Sequence, residues 1–203
     1  SGLAVEANAA ALARFAAISQ AHGLVPIVEP EVLMDGAHDL ETDAAVTERV
    51  LASVFKHLSD HHVLLEGMLL KPNMCAPGSS AGEGAPAWAP KAMAEATVRA
   101  LSRTVPCAVP GVMFLSGGMT EDEATEALHE INLLAQKGGG GGGAACPWAL
   151  SFSFGRALQH SCLGAWKGER ANIEAAQAAL LTRAVATSRA RMGQWVPCEG
   201  AAE

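Results

Sequence analysis

Val63-Leu64-Leu65-Glu66-Gly67-Met68-Leu69-Leu70-Lys71-Pro72-Asn73 opens with a near-continuous apolar run, Val63 to Lys71, closed by its lysine, and the fold turns on how that run is read. Apolar residues in unbroken succession are the pattern of a strand covered on both faces, as in a parallel sheet. Strand alternation then sets Gly67, Leu69 and Lys71 on one face and Glu66, Met68 and Leu70 on the other. An ammonium at the end of a buried strand is costly unless it is paired or neutral. Partial desolvation favours the free amine, which can attack a carbonyl. The same spacing also fits a lysine whose charged head simply reaches out into water.

Working outward from this strand, helical and strand-like segments alternate. Asn8 to His22 reads as helix, with Leu12, Phe15, Ala16 and Ser19 at helical spacing and Gly23 as its stop. Leu24 to Glu31 is short, rich in Val, Ile and Pro, and strand-like. Thr42 to Leu58 is a helix with Val46, Val50, Val54 and Leu58 four apart. Ala87 to Thr104 is helical, and Gly111 to Leu115 is a strand ending in Ser116-Gly117-Gly118. Thr120 to Ala135 is a helix with Thr120 as N-cap and Glu121 and Glu123 in its first turn. Trp148 to Phe154 is the fourth strand, and Arg156 to Trp166 and Arg170 to Met192 are helices. Strands separated by helical crossovers run parallel, so the fold class is α/β. Four βα units make half of an eight-unit barrel or a small open doubly wound sheet, and a whole barrel needs about 250 residues.

Bulk properties exclude several classes of function. Half of the 203 residues are apolar and 17% are charged, which is a globular composition. A net charge of −7 without a Lys/Arg-dense run speaks against nucleic acid as a partner. No apolar run reaches the length of a membrane span, and a secretory leader is not expected, since the alanine-rich stretch Ala9 to Ala17 is broken by Arg14. The five cysteines, Cys75, Cys107, Cys146, Cys162 and Cys198, never form a C-x-x-C pair, which argues against zinc and disulfides and for a reducing compartment. Two stretches read as loops. Cys75 to Pro86 is rich in Gly, Ser, Ala and Pro. The six glycines at 138–143 lack a following Lys-Ser/Thr and open no helix, so they read as a flexible linker rather than a phosphate loop.

Two further constellations can carry chemistry. Glu29 and Glu31 lie two apart in an extended segment, so both carboxylates face one side. Acids this close repel, which favours protonation of one and suits it to general acid/base work. They also fit a pair of solvated loop carboxylates. Ser116, Gly117 and Gly118 follow the third strand and lead into a helix, and Gly155 and Arg156 follow the fourth. Glycines admit backbone N–H groups to an anion, helix N-termini favour it, and a guanidinium binds it through two parallel bonds.

These segments resemble class I fructose-bisphosphate aldolase. The family signature, an apolar strand with Glu-Gly followed by Leu-Lys-Pro-Asn, matches Val63 to Asn73. Val25 to Leu33, Leu58 to His62, Arg103 to Pro106, Phe114 to Gly118 and Pro147 to Leu158 are similar to the family in its order. The resemblance implies a partial (β/α)8 TIM barrel, a single domain over residues 1–203 that supplies about the fifth to eighth βα units. It makes Lys71 the imine-forming lysine, Glu29 the acid/base residue with Glu31 assisting, and Ser116, Gly117, Gly118, Gly155 and Arg156 the holders of the substrate phosphate. The implied reaction is reversible cleavage of fructose 1,6-bisphosphate to dihydroxyacetone phosphate and glyceraldehyde 3-phosphate, with no metal or other cofactor. A homotetramer is implied for the full-length enzyme, in the cytoplasm or a plastid. The sequence departs from the family in lacking the first four βα units, and with them an aspartate, a second lysine and much of the second phosphate site. The polypeptide by itself is therefore expected to be weakly active or inactive. A truncated, non-catalytic module binding phosphate or a partner is the alternative.

Overall fold

A computed structural model describes residues 1–80, 89–138 and 146–197. Its element order is α1 (Gly2–Ala21), β1 (Ile27–Val28), α2 (Leu40–Asp60), β2 (Leu69–Leu70), α3 (Pro90–Thr104), β3 (Gly111–Phe114), α4 (Glu121–Gln136), β4 (Ala149–Phe152), α5 (Arg156–Trp166) and α6 (Ile173–Arg191). The strands form one parallel sheet in the order β1-β2-β3-β4, as the helical crossovers require. Residues 139–143 of the glycine run, 81–86 of the second loop, 87 and 88 of the expected helix start, and Cys198 lie outside the described residues. The other four cysteines are unpaired.

The helices begin where their sequences say they should. Asp39 caps α2 by accepting the Thr42 N–H, and Pro90 opens α3, where a missing N–H costs nothing. The Thr120 hydroxyl accepts from Glu123 N–H while the Glu123 carboxylate accepts from Thr120 N–H, a reciprocal capping box at the head of α4. Helix α1 starts at Gly2, six residues before the sequence reading, because Ser1 caps it. Its buried stripe is Ala9, Ala13, Ala16 and Ser19, whereas Phe15 faces out. In α2 the four-residue row drifts around the helix, so Val46 is exposed and the buried face is completed by Leu51 and Phe55.

The strands are shorter than their apolar runs, and the expected nine-residue strand from Val63 is corrected most. Leu65–Gly67 winds into a 3-10 turn, and only Leu69 and Leu70 pair as strand. The cause is a side-chain clamp: Gln20 accepts from Leu64 N–H at 3.0 Å and donates to Leu64 C=O at 2.8 Å, holding this backbone off the ladder. Glu66 is thereby exposed. From Met68 onward the alternation holds, with Met68, Leu70, Val28, Val112 and Phe114 buried under the helices. The opposite face is not covered among the described residues: Ile27 is 45% exposed, and Leu69 and Met113 are half-buried. Coverage of β2 on both faces is thus a second correction. Among the described residues, the helices cover the sheet face that carries Val28, Leu70, Val112 and Phe114, with α5 packed on α4 and α6.

Candidate active site

Parallel register determines which side chains meet at the C-terminal ends of the strands. Val28 pairs with Leu70, and Lys71 N–H donates to Val28 C=O at 2.8 Å, so the ladder runs one step beyond the strand ends. Glu29 and Lys71 are therefore cross-strand neighbours on the uncovered face. Lys71 Nζ lies 2.9 Å from Glu29 Oε1, with the lysine side chain 20% exposed and the glutamate 46%. A pair in that geometry holds the amine and supplies a base within proton-transfer distance.

Glu31 takes a different course. The chain leaves strand geometry after Val28, and Glu31 Oε1 comes to rest against Gly117, where a Cβ would lie 2.5 Å from it. Glycine at 117 is what lets that carboxylate approach β3. The neighbouring Gly118 adopts φ +81°, and a Cβ there would meet Met34 Sδ at 2.8 Å. Glu29 and Glu31 both line a hollow of about 490 Å³ whose other walls are the first turns of α1 and Val46, Val50 and Val54 of α2.

At the ends of β3 and β4, Ser116 is buried and Gly155 caps α5, with Arg156 its first residue. Gly118 and Arg156 share a second hollow of about 420 Å³ with the first turn of α4 and with His160, one turn along α5. The Arg156 side chain is exposed and makes no ion pair among the described residues. Along this rim Lys71 meets Glu29 and Glu31 meets Gly117, while Gly118 and Arg156 are brought only to the walls of one hollow.

Two residues that motif reading passed over brace this rim. Asn73, 7% exposed, accepts from Val32 N–H at 3.0 Å and donates to Thr47 Oγ1 at 3.2 Å, tying the segment after β1 to the end of β2. Its place beside Lys71 in the Leu-Lys-Pro-Asn run was the available signal. Asp43, 2% exposed, accepts from Ala76 N–H at 3.2 Å and lies 3.6 Å from His38 Nε2. Burial is the largest influence on its carboxyl and pushes it from 3.8 up to about 6, while burial lifts the neighbouring Cys75 thiol to about 12. In the sequence Asp43 looks like an ordinary acid in the first turn of a helix, and only packing against 75–76 buries it. Among the described residues no group of three or more His, Cys, Asp or Glu could hold a metal ion, and no helix is long and apolar enough to cross a membrane.

Comparison with known proteins adds an independent line. The family model described as fructose-bisphosphate aldolase class-I, glycolytic, matches residues 1–203. A cytoplasmic isozyme 2 of fructose-bisphosphate aldolase from Pisum sativum is 58% identical over 191 residues, 94% of this chain and 50% of the relative. Fructose-bisphosphate aldolase B from Homo sapiens is 55% identical over 196 residues, 97% of this chain and 51% of the relative. A co-crystal structure of the aldolase from Plasmodium falciparum with TRAP and a small-molecule inhibitor superposes with a TM-score of 0.88 at 47% identity, covering 97% of this chain and 53% of that one. The chain spans about half the length of the curated relatives it matches.

Proposed function

The chain belongs to the class I fructose-bisphosphate aldolase family, and from that premise we propose that it carries the Schiff-base half of an aldolase active site, as a single partial-barrel domain over residues 1–203. The 2.9 Å contact between Lys71 Nζ and Glu29 Oε1 is the observation that carries the reading. Glu29 accepts a proton from the lysine, and the neutral amine adds to the C2 carbonyl of fructose 1,6-bisphosphate. Glu29 then returns a proton to the carbinolamine hydroxyl, which leaves as water. The Glu29 carboxylate then takes the proton of the C4 hydroxyl, whose oxygen becomes the aldehyde carbonyl as the C3–C4 bond breaks and its electron pair flows to the iminium, releasing glyceraldehyde 3-phosphate and leaving on Glu29 the proton that C3 receives next. Protonation of the enamine at C3 and hydrolysis of the imine free dihydroxyacetone phosphate and Lys71. Glu31 assists from beside Gly117. Ser116, Gly117, Gly118, Gly155 and Arg156 hold the C1 phosphate, through backbone N–H groups, the Ser116 hydroxyl and one guanidinium.

That the chain covers half of its relatives favours one second reading, in which the polypeptide alone binds a phosphorylated ketone but completes little or no cleavage. The name of the Pisum sativum relative, a cytoplasmic isozyme, supports a cytosolic location and lends no support to a plastid. Exposed Leu163, Trp166, Leu181 and Val185 on α5 and α6 are compatible with assembly into a homotetramer.

The test is hydride trapping. Incubated with dihydroxyacetone phosphate and reduced with borohydride, the chain gains one covalent adduct, which peptide mass spectrometry maps to Lys71. A folded chain that gains no adduct, or gains it on another lysine, overturns the reading.

A further inference from the structure

The two turns assigned to the phosphate belong to different helices, so its binding depends on how α4 and α5 are held relative to one another. A network behind the site holds them. Glu121, the first residue of α4, places Oε1 where it accepts from both the N–H and the hydroxyl of Ser161 on α5, at 3.1 and 3.0 Å. Arg183 on α6 reaches the same turn of α4. Its guanidinium donates to Asp122 Oδ1 and Glu121 C=O, both at 2.7 Å, and to Thr125 Oγ1 at 2.9 Å. The Arg183 side chain is 15% exposed, and its Nε is buried without a hydrogen-bond partner among the described residues. An orphaned buried donor is destabilising. An arginine kept there at that cost is not a generic surface charge. Its planar fork instead fixes three bonds to one turn in a geometry that a lysine does not reproduce.

We propose that Arg183, acting with the Glu121–Ser161 bridge, is a positioning residue that sets the spacing between the turn at Gly118 and the guanidinium of Arg156. The proposal rests on the phosphate reading above and deepens it. Neither Arg183 nor Ser161 lines the hollow that Gly118 and Arg156 share. Both act through the helices that do. Of the two carboxylates at this hollow, Asp122 is paired with Arg183, whereas Glu121 keeps its charge and is oriented by the neutral Ser161. Loss of the clamp therefore widens the site and frees a negative charge beside it.

The experiment compares trapping at Lys71 with dihydroxyacetone phosphate and with unphosphorylated dihydroxyacetone, in the full 203-residue chain. The ratio of the two reports the phosphate site, whereas a general loss of structure lowers both alike. Arg183→Met is expected to reduce the preference for the phosphorylated ketone about tenfold, because displacement by an ångström can cost up to about a hundredfold, while trapping of dihydroxyacetone holds. Arg183→Lys restores part of the preference. Ser161→Ala, a milder change that keeps the fold should Arg183→Met lose it, reduces the preference by a few-fold. An unchanged ratio in Ser161→Ala and Arg183→Lys overturns the proposal, as does an equal fall for both ketones. An unaltered chain that traps both ketones equally, with no effect of Arg156→Ala, overturns the phosphate reading itself and this inference with it.

Discussion

At the ends of β1 and β2 two charged side chains meet 2.9 Å apart, whereas at the ends of β3 and β4 backbone turns, the first turns of α4 and α5 and one exposed guanidinium border an open hollow. The first half of the rim is preassembled: matched register makes Glu29 and Lys71 neighbours before any ligand arrives. The second half is open, and its parts sit on two helices clamped from behind by Glu121, Ser161 and Arg183. In the proposed function the strands hold the bond-making amine within reach of its base, and the helix ends leave room to receive a phosphate.

If the two halves divide the work in this way, substitutions in each should fail differently. Glu29→Gln removes the proton acceptor while keeping shape. It should slow imine formation by about a hundredfold or more and leave the half-saturating concentration of dihydroxyacetone phosphate little changed, as measured by trapping rate against ketone concentration. Arg156→Ala should do the reverse, raising that concentration about ten- to a hundredfold, the worth of a lost charge-assisted bond. A common pattern for the two variants would break the comparison.

The division can be sharpened beneath the first half. Asp43 is buried beside Cys75, Ala76 and His38, and burial pushes its carboxyl from 3.8 to about 6. The folded chain therefore holds this proton more tightly than the unfolded chain does. The resulting stabilisation is complete below pH 3.8 and is lost as pH rises through about 6. Thermal unfolding should show the unaltered chain losing Tm relative to Asp43→Asn between pH 4 and 6, and a constant difference would contradict the assignment. The smallest effect belongs to the other half. Thr120→Ala removes one side of the α4 capping box and should cost about 1 kcal/mol in denaturant unfolding without altering the rate of imine formation.

The sequence disclosed these two halves unevenly, for physical reasons. Order and parallelism followed from apolar periodicity and crossover length, which are local properties. Lys71 and Glu29 were legible because each closes an apolar run, and register then brings run ends together. Strand length was not legible, because the 3-10 turn at Leu65–Gly67 depends on Gln20, forty-four positions from Leu64. The burial of Asp43 and the bracing by Asn73 were hidden for the same reason, since each contact joins segments distant in the chain. Ser-Gly-Gly and Gly-Arg do follow β3 and β4, but nothing in them points to Arg183, which reaches the first turn of α4 from a later helix. The second face of β2 was misjudged because an apolar run records burial in the family's whole barrel, of which this chain spans about half.

The bond between Lys71 and a ketone can be observed without chemical reduction. With 15N-labelled lysine in the chain and dihydroxyacetone phosphate carrying 13C at C2, the account predicts a one-bond 13C–15N coupling in the NMR spectrum of the complex, absent in Lys71→Arg. A bound ketone whose C2 signal shows no coupling to nitrogen, or the same coupling persisting in Lys71→Arg, would contradict it.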